Sequence, residues 1–200
     1  MPRASAFLLA LILLVAARAE AASDPARRWV TLVSAHFALH TYDDGVALAP
    51  EALAYLEEAH ATVDALLGWT PRARVHVTLV DDYDWSNGLA SSIPWPGIVL
   101  YAWPPEPETE LGDYANWLRL LCFHEYTHIA HIDQAFGVPE LVNDIVGPIW
   151  APNNMLPRWA TEGLAVWVES TRGGGGGRVG SLLSEMHAHA RAHRHPAEPA

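Results

Sequence analysis

Lysine is absent from this chain of 200 residues, and its twelve arginines are scattered along it. Because the chain also carries 23 Asp and Glu residues, its formal net charge is −11. No segment forms the basic stripe with which proteins bind a phosphate backbone. We therefore expect no nucleic-acid partner.

Cysteine is nearly absent as well, since Cys122 is the only one. No disulfide can form within the chain, so its stability must come from packing or from a bound metal. Cys122 lies two residues before His124, about 200° away around a helix. We expect it to be a small core residue that faces away from His124, rather than a catalytic nucleophile.

A hydrophobic run long enough to span a membrane is also missing. The apolar run from Ala6 to Ala17 follows Arg3 and precedes small-residue sites such as Ala17-Arg18-Ala19. It is shorter than the roughly 20 residues that a spanning helix needs. This layout predicts a signal peptide over residues 1–22, with export to the periplasm or the medium and no stable membrane anchor after cleavage.

The remaining sequence is half apolar and long enough for one compact domain, which we place at residues 23–171. Residues 172–200 contain a glycine run, a short helical pattern and a tail rich in proline, alanine and histidine. This last segment could belong to an incomplete C-terminal subdomain.

Hydrophobic periodicity predicts both strands and helices, and hence an α+β fold. Alternating residues indicate one or two strands in residues 28–42, another near residues 75–80, and a third at Ile98–Trp103. The stretch before this third strand, "DYDWSNGLASSIPWPG", is rich in turn residues. Helical patterns cover Pro50–Leu67 before Gly68, residues 113–136 before Gly137, and the stretch after Pro157.

The segment "FHEYTHIAH", residues 123–131, contains the pattern H-E-x-x-H. His124 and His128 lie one turn apart on one helix face, where both imidazoles can reach one tetrahedral zinc ion, and Glu125 projects beside them toward a metal-bound water. A simpler interpretation is a partly buried helix whose histidines only pair with the glutamate.

A zinc site of this kind needs a third protein ligand. The third histidine of metzincins would fall at position 134, which is Gln134. His131 lies about 10 Å along the helix from His124, so it is better placed in a groove than on the metal. Glu162 is predicted in another helix among apolar neighbours such as Trp159 and Trp167, and a metal bound to His124, His128 and Glu162 would account for its burial.

A helix with H-E-x-x-H, followed by one that reads W-x-x-E-G-x-A at Trp159, Glu162, Gly163 and Ala165, resembles the gluzincin zinc metallopeptidases of the peptidase MA-like superfamily. The likeness is greatest to exported bacterial domains that are often fused to a TolB-like β-propeller. It extends to about Ser170 and includes the "DWSNGLA" loop.

The resemblance implies a zincin-like fold, with a mixed sheet packed on the active-site helix. It implies one Zn²⁺ per chain on His124, His128 and Glu162, with Glu125 as the general base for hydrolysis of a peptide or protein substrate. In such folds the strand before the active-site helix pairs with extended substrate, so we expect Ile98–Trp103 to be an edge strand. No residue is assigned to substrate binding or to the oxyanion.

Two alternatives remain open. The first is an inactive zincin-like scaffold that keeps its zinc and serves as a binding module for a protein partner in the cell envelope. Glu125 argues against it, because a purely structural zinc site has no use for a base. The second is a metal-free interaction domain with a chance motif, which the helix that contains Glu162 makes improbable.

Overall fold

The computed structural model of the protein describes residues 27–43, 45–81, 86–103, 116–174 and 177. The predicted signal peptide, residues 1–22, lies outside the described residues. So does most of the predicted C-terminal segment, residues 172–200, including its short helical pattern and its tail.

The described residues form a mixed five-stranded sheet and four α-helices. The strands are β1 (Trp29–Val33), β2 (Phe37–Tyr42), β3 (Val75–Val80), β4 (Ser86–Ser91) and β5 (Gly97–Ala102). Their order across the sheet is β1-β2-β3-β5-β4. The three inner strands are parallel, and β1 and β4 run antiparallel to their neighbours at the two edges.

The helices are α1 (Ala49–Leu67), α2 (Trp117–Ile132), α3 (Val138–Val146) and α4 (Arg158–Arg172). Helix α1 has a proline in its first turn and ends at Gly68, whose positive φ of 64° is the left-handed conformation that glycine adopts readily. Helix α2 begins after Asn116, whose side chain accepts a hydrogen bond from the backbone N–H of Arg119 at 3.1 Å. This cap fixes the start of the helix that carries the H-E-x-x-H motif.

One hydrophobic core lies between the sheet and helices α1 and α2. Alternate residues of the inner strands, such as Leu39, Val77 and Leu100, meet Leu56 of α1 and Phe123 of α2, and all are buried. Cys122 is fully buried in this core, as predicted, and burial raises the pKa of its thiol far above the usual range. Packing on the sheet therefore fixes the position and rotation of α2.

The α+β fold is confirmed at this level, and most of the predicted elements lie where the sequence places them. The prediction that Ile98–Trp103 is an edge strand is wrong. That segment is β5, which pairs with β3 on one side and with β4 on the other. The edge strand on this side of the sheet is β4, within a stretch that the sequence describes as turns. Its small and polar residues are poor strand formers, and it is a strand because its backbone pairs with β5.

Two helix boundaries also differ from expectation. Helix α2 ends at Ile132 rather than near residue 136, and Gly137, expected to close it, instead precedes the unpredicted helix α3. Pro139 fits there because proline is tolerated in the first turn of a helix. No helix in the described ranges is long and apolar enough to cross a membrane.

Candidate metal centre

Helix α2 carries polar side chains into the interior. Glu125 is only 4% exposed, and His124 and Thr127 are also buried. The Thr127 hydroxyl donates to the carbonyl oxygen of Phe123, one turn earlier in the same helix, at 2.7 Å. A buried carboxylate beside a buried imidazole needs compensating partners. The other elements around α2 bring such groups to it.

Helix α4 brings Glu162 to the two histidines of the motif. His124 Nε2 and His128 Nε2 are 3.1 Å apart. Glu162 Oε2 lies 3.5 Å from His124 Nε2 and 3.6 Å from His128 Nε2. Among the described residues, these three side chains form the one group that could hold a metal ion.

The separations fit a tetrahedral ion. A metal bound at 2.0–2.1 Å from each ligand atom places its ligand atoms about 3.3 Å from one another. The three observed separations, 3.1, 3.5 and 3.6 Å, lie close to this value. Two imidazole nitrogens and one carboxylate oxygen leave a fourth position free, which is the arrangement of hydrolytic zinc sites.

Glu169 orients His124. Its Oε2 atom accepts a hydrogen bond from His124 Nδ1 at 2.8 Å, and Glu169 is 1% exposed. Because an ionised carboxylate can only accept, this bond assigns the proton of a neutral His124 ring to Nδ1 and leaves the Nε2 lone pair facing Glu162 and His128. Such a carboxylate partner is common behind metal-binding histidines.

Glu169 is not among the site residues predicted from the sequence. A signal for it is present, since Glu169 follows Glu162 by seven residues, which is two helical turns on the same face. Two carboxylates at this spacing in one apolar helix would have predicted that both face the same histidines.

Glu125 lies against the edge strand β4. A Cβ atom at position 88 would overlap Cγ and Oε1 of Glu125, so only glycine leaves room for this carboxylate beside the strand. The glycine that lowers the strand propensity of β4 is therefore what leaves room for Glu125 in the cleft that the candidate ligands also line.

The candidate metal centre opens into a cleft of about 390 Å³. Strand β4 forms one wall with Asn87, Gly88, Leu89 and Ala90, helix α2 forms the floor, and the first turns of α4 form the other wall. Arg158 on that wall is highly exposed, and its Nε atom lies 3.5 Å from Glu162 Oε1. An extended chain in this cleft would pass between β4 and the three candidate ligands.

The expected burial of Glu162 is wrong. Its side chain is 39% exposed, because it opens into the cleft, and Trp159 and Trp167 of the same helix face solvent. The carboxylates that need compensation are Glu125 and Glu169. His131, the alternative third ligand, lies outside the group, and burial lowers the pKa of its imidazole.

Comparison of the chain with protein-family models, with curated proteins and with solved structures finds no match. A functional assignment must therefore be argued from the residues of the site and their geometry.

Proposed function

We propose that this protein is a zinc-dependent metallopeptidase of the gluzincin type. The observation that carries the proposal is the meeting of His124, His128 and Glu162 in one cleft with a fourth, buried side chain, Glu125. A structural metal site has no need of an additional carboxylate beside its open position, whereas hydrolysis requires a base there.

The donor set supports zinc as the metal. Imidazole and carboxylate ligands suit Zn²⁺, and three protein ligands leave one position open. Zinc bound at these residues would act as a Lewis acid on a carbonyl oxygen and make water a nucleophile near neutral pH. The same two-histidine, one-carboxylate set also suits Fe(II), so metal analysis is part of the test below.

The remaining chemistry belongs to side chains of this chain. Glu125 takes a proton from the attacking water and passes it to the nitrogen of the leaving amine. Gly88 leaves the space in which the Glu125 carboxylate lies. Glu169 holds the ring of His124 through Nδ1, so that His124 Nε2 keeps its direction during the reaction.

Strand β4 supports a peptide as the substrate. It ends the strand order, so its outer edge pairs with no strand in the part of the chain that the structure describes. That strand also forms a wall of the cleft. An extended peptide can add to such an edge through main-chain hydrogen bonds, which would hold its scissile bond near the metal. This role replaces the one that the sequence analysis expected for Ile98–Trp103.

The proposed cellular location of the enzyme rests on residues 1–22, whose charge and hydrophobic pattern is that of a signal peptide. We infer that the enzyme is exported and works on peptides or proteins in the periplasm or outside the cell.

The decisive test replaces Glu125 by Gln. The Glu125→Gln variant should keep about one zinc per chain and lose at least ~10²-fold in hydrolysis of a peptide library, because the shape remains and the base is gone. Glu51→Gln on α1 is a matched control. Glu51 accepts from the hydroxyl of Tyr55 outside the cleft, and glutamine can still accept there.

Three other outcomes contradict the proposal. Bound zinc with no hydrolysis by the wild-type protein would favour the inactive scaffold. Absence of bound metal from the wild-type protein would favour the chance motif. Iron in place of zinc, with no hydrolysis, would indicate a different reaction.

A further inference from the structure

Helix α3 is attached to the rest of the protein by its polar side. Glu140 and Asp144, one turn apart, both form ion pairs with the guanidinium of Arg72. Asn143 accepts from the backbone N–H of Trp150 at 2.9 Å and donates to the carbonyl oxygen of the same residue at 2.7 Å. These three polar residues share one face of the helix, and that face makes the ion pairs to Arg72 and the hydrogen bonds to the following loop.

The opposite face of α3 is apolar and turned outward, and helix α3 has no buried residue. Val142 of this face is half-buried, and the other large apolar side chains of the helix and those of the loop folded against it by Asn143 are 44–74% exposed. We call this surface the α3 patch: Val138, Leu141, Ile145, Val146, Ile149 and Trp150. A surface helix normally has the reverse arrangement, with its apolar side against the core.

The α3 patch is large for a monomer. With exposed fractions of 44–74%, its six residues present roughly 600 Å² of accessible surface, which is the upper end for the largest apolar patch of a typical monomer. The same ~600 Å² per copy is the lower limit for each side of a stable protein interface.

We propose that the α3 patch is the interface of a homodimer, in which α3 packs against α3 of a second copy. This proposal does not depend on the proposed catalytic function. A two-fold axis places the same patch on both sides of the interface, so an apolar stripe automatically meets an apolar stripe. Residues 138, 141 and 145 have the spacing that lets two helices interlock along such a stripe.

The charges around α3 favour a second copy over a lipid surface. Glu140 and Asp144 are the acidic residues of this helix. Arg72 pairs with both and offsets one of their two negative charges, and both carboxylates lie on the face away from the α3 patch, so little charge opposes the approach of two copies. A helix that lies on a membrane normally carries Lys or Arg on its polar face. Here that face is acidic, and the chain has no lysine.

The test is sedimentation of the full chain over a wide range of concentration. The wild-type protein should sediment with twice the mass of one chain. Ile145→Arg places a charge in the centre of the α3 patch and should raise the dimer dissociation constant about 30-fold or more. Because Ile145 is 74% exposed, the monomer should keep its fold, which far-UV circular dichroism would check.

Val33→Arg is the matched control. Val33 is 59% exposed and lies in the edge strand β1, outside the α3 patch. This variant should therefore remain a dimer. Leu141→Arg is a second variant in the patch for the case in which Ile145→Arg does not fold.

Several results would overturn the proposal. One is that the wild-type protein stays monomeric at the highest concentration. Another is that the patch variants fold and still form the dimer. A monomer that binds phosphatidylcholine vesicles through the α3 patch would also overturn it and identify a lipid surface instead.

Discussion

Helices α2 and α3 follow each other in the chain and differ in which side chains they bury. Helix α2 buries polar groups, among them His124 and Glu125, whereas α3 exposes apolar ones, among them Leu141 and Ile145. Globular proteins usually do neither, because a buried charge and a wide exposed apolar surface both cost free energy.

We propose that the difference reflects two kinds of binding partner. The polar interior of α2 includes two members of a group that could hold a metal ion, and a bound metal would offset its cost. Among the described residues, the apolar exterior of α3 belongs to no group that could hold an ion, and removing that surface from water would offset its cost. A side chain in the wrong environment therefore indicates the chemistry of what binds there, and each half of the comparison can be tested separately.

The largest effect is expected when Glu162 is removed. Glu162→Ala deletes the anionic member of the three-residue group. Loss of a hydrogen-bond partner of a ligand lowers metal affinity ~10–100-fold, and loss of the ligand itself should lower zinc affinity further. The thermal midpoint measured with zinc should fall toward that of the metal-free protein, because metal binding is coupled to folding. Calorimetric titration of zinc measures the first effect, and thermal unfolding with and without chelator measures the second.

Glu169→Ala provides the graded control. It leaves the three ligands in place and removes only the acceptor for His124 Nδ1, so its zinc affinity should fall by ~10–100-fold, and Glu169→Gln should recover part of the loss because its side-chain oxygen can still accept. If Glu162→Ala binds zinc as tightly as the wild type, the third ligand is elsewhere and the metal explanation of α2 fails at its central residue.

The next effect concerns the space beside Glu125. Gly88→Ala puts a methyl group where the Glu125 carboxylate lies, and this flexible side chain should move rather than the strand. Zinc should stay bound while hydrolysis falls toward the ~10²-fold loss expected without a base. Metal content and peptide hydrolysis of the same sample would measure the two quantities.

Gly97→Ala in the neighbouring strand β5 is the control, because a Cβ atom there meets nothing closer than 3.7 Å. Equal activity of Gly88→Ala and Gly97→Ala would mean that Glu125 does not work from the position described here.

The smallest effect tests the attachment of α3. Arg72→Met removes both ion pairs to the helix, and amide hydrogen exchange in Val138–Val146 should become faster. The midpoint of global unfolding should hardly change, because these ion pairs are exposed to solvent. Arg119→Met, which removes the ion pair of α2 with Glu58, should leave exchange in α3 unchanged. A large loss of global stability in Arg72→Met would contradict the outward orientation of the apolar face.

The sequence predicted elements well where the local signal and the packing agree. Helix α1 has apolar residues at helical spacing, a proline at its start and a glycine after its end, and the structure places it at Ala49–Leu67. Strand β3 alternates Val75 and Val77 toward the core as expected. Strand β4 was missed because its small and polar residues show no apolar alternation. Helix α3 has apolar residues at helical spacing and was missed because Gly137 and Pro139 also fit the end of the preceding helix.

The sequence alone determined the helix that bears His124, Glu125 and His128, because the four-residue spacing of the two histidines is a property of the helix itself. It also indicated Glu162 through the apolar helix around it, although the reason it suggested, burial, was incorrect. Only the tertiary structure decided that β4 rather than β5 lines the cleft, that Gly88 makes room for Glu125, and that Glu169 orients His124. Strand order and contacts between distant segments depend on which surfaces meet, and no local periodicity encodes that choice.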